Sequence, residues 1–162
     1  GLITNWWIVG PFDYGKGLET ILPPEKKIEL SKEYDGADGK VAWEKLTIDE
    51  SGYLNLVKLL YKHPEDHPED LTALAYAYTQ IESPDNRSAK ITIGSNDGAK
   101  MWVNGKVVYN EHVALGAVAD QVFVDVKLKK GKNDILAKVE NLGNNWGLYL
   151  RIIDPKSDLV FN

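Results

Sequence analysis

An all-β fold, a sandwich or a barrel, is what this sequence predicts, and three observations predict it. Apolar residues alternate with polar ones through residues 122–128, 135–139 and 148–152, the two-residue period of strands with one buried face. Asn104-Gly105 sits between Met101-Trp102-Val103 and Val107-Val108-Tyr109, and these two residues readily accept the left-handed conformations of a type I′ hairpin. Turns rich in Gly, Asn and Asp recur at spacings of roughly ten residues, with none of the strand–helix alternation of a parallel sheet.

Taken in order, the run Trp6-Trp7-Ile8-Val9 reads as a strand stopped by Gly10-Pro11. Leu56, Val57, Leu59 and Leu60 have helical spacing, which allows one short helix at most. Residues 72–81 mix Ala, Tyr and Thr so that both faces look buried; Ala favours a helix, but the Tyr and Thr content favours a strand. Ala89-Lys90-Ile91-Thr92-Ile93-Gly94 is another short strand. The last third holds Val122, Val124, Val126 and Leu128, then Ile135, Ala137 and Val139 against Lys138 and Glu140, then Leu148, Leu150 and Ile152. Lys130-Gly131-Lys132-Asn133 and Leu142-Gly143-Asn144-Asn145 separate these runs, which predicts three antiparallel strands. His63-Pro64-Glu65-Asp66 and His67-Pro68-Glu69-Asp70 form a local tandem in a loop.

The chain of 162 residues, 43% hydrophobic and 27% charged, is expected to fold as a single domain over 1–162 without a metal or disulfide staple. Its net charge of −5 and the lack of any Lys/Arg run argue against nucleic acid and anionic membranes as partners. No apolar run approaches the ~20 residues that span a bilayer. Gly1-Leu2-Ile3-Thr4 lacks the features of a signal peptide, so the chain is either intracellular or the mature part of something larger. The absence of cysteine excludes disulfides and zinc–thiolate sites without naming a compartment.

Four segments carry a resemblance: Trp7-Ile8-Val9-Gly10-Pro11-Phe12, residues 94–106, Leu128-Lys129-Lys130-Gly131-Lys132-Asn133, and Asn145-Trp146-Gly147-Leu148-Tyr149-Leu150-Arg151. In this order they resemble the galactose-binding-domain-like jelly rolls attached to exported bacterial polysaccharide-degrading proteins. That resemblance implies a β-sandwich of eight or nine antiparallel strands, an extracellular or periplasmic location, and a non-catalytic accessory role in a larger chain. It also implies a polysaccharide or oligosaccharide ligand held on loops at one end or on a concave face. Residues 94–106 are also similar to protective-antigen-type lectin domains, where a paired Asp-Asp at this place holds calcium and sugar. Here the pair is Asn96-Asp97, and exchanging a carboxylate for an amide removes charge from a site that depends on it. No cofactor is otherwise required.

Sugar recognition combines flat apolar faces with fixed amide, carboxylate or guanidinium groups. Asp13 and Tyr14, Asn96 and Asp97, and Asn144, Asn145 and Trp146 supply both kinds in loop positions and are the candidate ligand-binding residues. Tyr14, flanked by Gly15 and Gly17, is expected to be exposed. Each has a plainer alternative. Trp7, Trp102 and Trp146 can serve as core rings, Asn96-Asp97-Gly98 as a turn whose Asp satisfies backbone amides, and Asn144-Asn145 as left-handed turn residues. His63 and His67 have the four-residue spacing of metal ligands on a helix, but Pro64 and Pro68 disfavour that helix, and a solvated acidic loop is expected. His112 after Glu111 is a lone loop imidazole. The recognisable catalytic constellations, a nucleophile elbow, a phosphate loop or a zincin helix, are absent from the sequence, so no catalytic residue is expected.

Overall fold

The computed structural model describes residues 1–62, 71–114 and 116–162. Among them lie thirteen strands: β1 (Asn5–Asp13), β2 (Glu33–Gly36), β3 (Gly39–Ala42), β4 (Glu44–Thr47), β5 (Tyr53–Asn55), β6 (Ala73–Ser83), β7 (Arg87–Asn96), β8 (Ala99–Val103), β9 (Lys106–Glu111), β10 (Val122–Leu128), β11 (Gly131–Asn141), β12 (Gly147–Ile153) and β13 (Val160–Phe161). Eight of these have five or more residues, and the shorter ones account for the excess over the expected eight or nine. Two short helices are present instead of one: α1 (Pro23–Lys26), started by the fixed φ of Pro23-Pro24, and α2 (Leu56–Leu60), capped by Asn55 Oδ1 accepting Lys58 N at 3.0 Å. Among the described residues no helix is long and apolar enough to cross a membrane.

The strands form an antiparallel sandwich. One sheet runs β4-β1-β6-β11-β8-β9, with β13 paired to β6, and the other runs β10-β7-β12-β5. Between them Ile8, Ala75, Ala77, Met101, Ile135 and Ala137 meet Ile91, Ile93, Val124, Leu148, Leu150 and Ile152. The alternation of buried and exposed residues holds in β10 and β12, but β11 is buried on both faces, Lys138 and Glu140 included, and the pairing is not that of three neighbours: β10 pairs β7, β11 pairs β6 and β8, and β12 pairs β7 and β5. Successive strands switch sheets, a choice that the period of two leaves open because both sheets need the same pattern.

Two further expectations are settled by backbone detail. β1 does not stop at Gly10-Pro11; its pairing with β6 shifts register between Val9 and Phe12 and then resumes. A proline fits at such a bulge, where no ladder donor is needed, and Pro11 O accepts Ala37 N at 2.9 Å. At the β8–β9 hairpin Asn104 and Gly105 both take positive φ, 50° and 79°, as a type I′ turn demands.

β6 is buried on both faces, which explains its mixed composition. Its outward residues Leu74, Tyr76 and Tyr78 join Val9, Phe12, Trp102 and Leu136 in a second apolar layer. Residues 14–43 cover that layer with Leu22, Ile28, Tyr34 and Trp43. A buried ion pair holds this cover down. Lys138, fully buried, donates to Leu18 O at 3.1 Å, to Thr20 O and to Glu25 Oε2 at 2.9 Å, while Tyr76 donates its hydroxyl to the same Glu25 oxygen at 2.6 Å. Burial pulls the Lys138 ammonium below its ordinary range, and Glu25 opposes that shift.

Candidate ligand-binding site

At one end of the sandwich four segments meet: Tyr14 just after β1, the β7–β8 turn at 96–98, His112 just after β9, and Glu140-Asn141 at the end of β11 with the loop that follows. Glu140 lies at their junction. Its side chain is completely covered. Tyr14 donates its hydroxyl to Oε2 at 3.1 Å. His112 Nδ1 makes ion-pair contact with Oε1, but without hydrogen-bond alignment, so Oε1 has no hydrogen-bond partner.

The backbone sets this geometry. Asp97 N donates to Glu140 O at 2.9 Å and Glu140 N donates to Gly98 O at 3.0 Å, which ties the β7–β8 turn to β11. The Asn96–Asp97 peptide is cis. Gly98 is required by close approach: a Cβ there would stand 2.3 Å from Glu140 Oε1 and 2.7 Å from Glu111 O. Asp97, 8% exposed, accepts Leu142 N at 2.7 Å through Oδ2, and Ser95 Oγ donates to Asp97 O at 2.7 Å. Asn141 is fully buried; its Oδ1 accepts Gly143 N at 2.9 Å and its Nδ2 lacks a partner.

Burial raises the Asp97 carboxyl above the usual carboxylate range, against the pull of the Leu142 amide and His112. Burial and then the Glu140 carboxylate hold the Tyr14 phenol above its ordinary value. The end therefore presents two covered carboxylates, a phenol and amides. Glu140 Oε1, whose contact with His112 is not a hydrogen bond, and Asn141 Nδ2 are buried polar atoms without a hydrogen bond, a state that costs free energy. Hydroxyl groups, which both donate and accept, suit such a set.

The donor set fits a calcium ion poorly. Calcium takes six to eight oxygens with several carboxylates among them. Here one oxygen of Asp97 is committed to Leu142 N, Asn96 contributes a neutral amide, and Glu140 is turned to Tyr14 and His112. Among the described residues no three His, Cys, Asp or Glu side chains are placed to hold a metal.

Of the candidates named from sequence, Tyr14 and Asp97 join the cluster at Glu140, with Asn96 half-buried beside them. Asn144 and Asn145 are exposed on the loop that Asp97 holds at Leu142, and Asn144 takes a left-handed φ of 64° as a turn residue. Asp13 is exposed at the end of β1. Tyr14 is half-buried, not fully exposed, because its hydroxyl reaches inward to Glu140.

Trp146 is corrected outright. It has no exposed surface, its Nε1 donates to Val139 O at 3.3 Å, and its ring lies 6.0 Å from that of Tyr61. It is a core ring and offers no face to a ligand. Trp102 is likewise buried in the second apolar layer, and only Trp7 is half-buried, with Lys45 over its ring. His63 and His67 lie outside the described residues.

Sequence reasoning missed Glu140 and Asn141 and took His112 as incidental. A signal was there: β11 is buried along nearly its whole length, so its charged residues Lys138 and Glu140 had to be bonded inside the protein.

No known protein family matches the sequence, and no curated protein matches it. Among solved structures, the chain is similar to the β-glucosidase of Kluyveromyces marxianus in complex with glucose, with TM-score 0.57 and 10% identity over 95% of this chain and 17% of that one. It is similar to the PA14 sugar-binding domain from an RTX adhesin, with TM-score 0.56 and 13% identity over 100% of this chain and 96% of that one. A third likeness is to the β-glucuronidase of Ruminococcus gnavus, with TM-score 0.52 and 15% identity over 86% of this chain and 20% of that one. The chain thus spans a fifth or less of the two enzymes. At these identities the likeness is one of architecture: this chain has the β-sandwich fold of the adhesin's PA14 domain.

Proposed function

We propose that this chain is a non-catalytic carbohydrate-binding domain, part of a larger extracellular or periplasmic protein that it holds to polysaccharide. The observation that carries this reading is the cluster around Glu140, where a buried carboxylate oxygen that has an ion-pair contact with His112 but no hydrogen bond, and the unbonded Asn141 Nδ2, lie beside Tyr14 and Asp97. Such groups read sugar hydroxyls. Support comes from a fold shared over almost its full length with a domain described as sugar-binding. The galactose-binding-domain-like assignment is the finer form of the same proposal, as is its attachment to an exported polysaccharide-degrading protein. Sugar is bound without calcium, because the Asn96-Asp97 pair supplies one carboxylate where a hard cation needs several.

The test is a glycan array of plant, algal and host polysaccharides, run with calcium and with chelator. Binding by one polymer, equal in both conditions and lost in Asp97→Ala, is the expected result. A second reading, a structural spacer, is favoured by one observation: Trp146 and Trp102, which would have been stacking platforms, are buried. Silence across the array would establish the spacer.

A further inference from the structure

At the other end of the sandwich one side chain ties two turns together. Asn133 is fully buried; its Oδ1 accepts Lys129 N and Asn104 Nδ2, both at 2.9 Å, and its Nδ2 donates to Lys129 O and Gly131 O, both at 2.9 Å. The β6–β7 turn is joined to them through Asn86 Oδ1, which accepts Lys130 N at 2.8 Å. On this frame opens a cavity of about 410 Å³ lined by Asn86, Arg87, Ser88, Asn104, Lys127 and Lys129.

The charges here do not cancel. Asp85 and Asp158 are engaged by Arg87 at 2.5 and 2.6 Å and Asp125 by Lys90 at 2.5 Å, while Asp134 accepts from the neutral Tyr78 and Gln80 and keeps its charge without pairing a lysine among the described residues. Glu82 stands opposite Lys132 in the β6–β11 register. Lys127 bonds only the neutral Ser88 hydroxyl, and exposed Lys106, Lys129 and Lys130 have no ion-pair partner among the described residues. A chain of net charge −5 thus gathers unpaired cations at one end, while Asp97 and Glu140 lie at the other.

We propose that this basic end is a second ligand surface, one that takes an anionic polysaccharide through its carboxylate or sulfate groups. Unpaired ammonium groups at the rim supply the attraction, and the Asn86 amide and Ser88 hydroxyl stand beside them to meet sugar hydroxyls. No aromatic ring lines the cavity for a nucleic-acid base to stack on. The surface lies ~30 Å from the Glu140 cluster, the length of a ten-residue strand. It rests on the carbohydrate reading only for the choice of glycan over another polyanion.

The experiment is affinity electrophoresis of the whole chain through gels containing polygalacturonate, dextran sulfate or neutral dextran at several salt concentrations. The expected result is retardation by one or both polyanions that fades as salt rises, with affinity about tenfold lower in Lys127→Ser/Lys129→Ser/Lys130→Ser. The carboxylate and sulfate gels tell the two anion sources apart. Asp97→Ala keeps this retardation, so loss of the neutral-glycan reading and loss of this one are separable. No retardation at low salt, or equal retardation of a triple variant with an unchanged circular-dichroism spectrum, overturns the proposal. Tighter binding to duplex DNA or phosphatidylserine vesicles than to either glycan also overturns it.

Discussion

Tyr14 and Glu140 are 126 residues apart in the chain and 3.1 Å apart in space, hydroxyl to carboxylate. The contact exists because residues 14–43 fold back over the outer face of the larger sheet, where β11 turns Lys138 and Glu140 toward them. One lysine holds the cover and the next outward residue, Glu140, meets Tyr14 and His112 at the end of the sandwich. The site and the second apolar layer are therefore mechanically one feature.

Glu140→Gln keeps the backbone bonds to Asp97 and Gly98 and removes the charge that accepts hydroxyl donors. Its affinity for the recognised glycan is expected to fall by ~1.5 kcal/mol, about tenfold, as for a hydrogen bond to a charged group. Isothermal titration beside wild type, with urea midpoints as a folding control, checks this.

Trp146→Ala is expected to act on stability, since the ring has no exposed surface. Truncating a buried tryptophan costs about 3–5 kcal/mol through lost transfer energy and the cavity left behind. Urea unfolding followed by circular dichroism measures the loss; a variant of unchanged stability that fails to bind glycan would contradict the core assignment.

Lys138→Met leaves Glu25 buried beside the Tyr76 hydroxyl without its cation. Breaking a buried pair in this way costs about 3–5 kcal/mol, whereas replacing both partners by apolar groups is close to neutral. Lys138→Met/Glu25→Met should therefore recover most of the stability lost in Lys138→Met. A double-mutant cycle in urea reads the difference.

Alkaline pH should weaken the fold. Burial, with the Glu25 carboxylate, drives the Tyr76 phenol far above its ordinary value, and burial, with Asp134, does the same to Tyr78. A folded phenol with a raised value holds its proton while the unfolded one releases it near pH 10, so stability is complete below about pH 10 and falls as pH rises beyond it. The urea midpoint should drop between pH 8 and about pH 11. Tyr78→Phe should make that drop shallower, and an unchanged slope would refute the assignment.

Much of the fold was legible from residues because its signals are local. The Asn104-Gly105 hairpin, the strand over β6 and the helix at Leu56–Leu60 each follow from period, turn chemistry or composition within a dozen residues. The short strands β2 to β5 carry too few residues to show a period, and α1 is a single turn set by two prolines. The passage of β1 through Gly10-Pro11 depends on a partner strand that the local sequence does not name.

The site divides along the same line. Sequence by itself determined that strands would alternate, that turns would carry Asn and Asp to their ends, and that Asn96-Asp97 would stand before a hairpin. Only the tertiary structure decided that Trp146 turns inward, that Tyr14 bends down to Glu140, and that Lys106 of β9, Lys127 of β10 and Lys129 and Lys130 of the turn after it share one end without ion-pair partners among the described residues. The reason is physical: a strand's period states that one face is buried but not against what. Burial of a ring, or of a carboxylate, depends on which chain segments cover it, and here those segments lie scores of residues away.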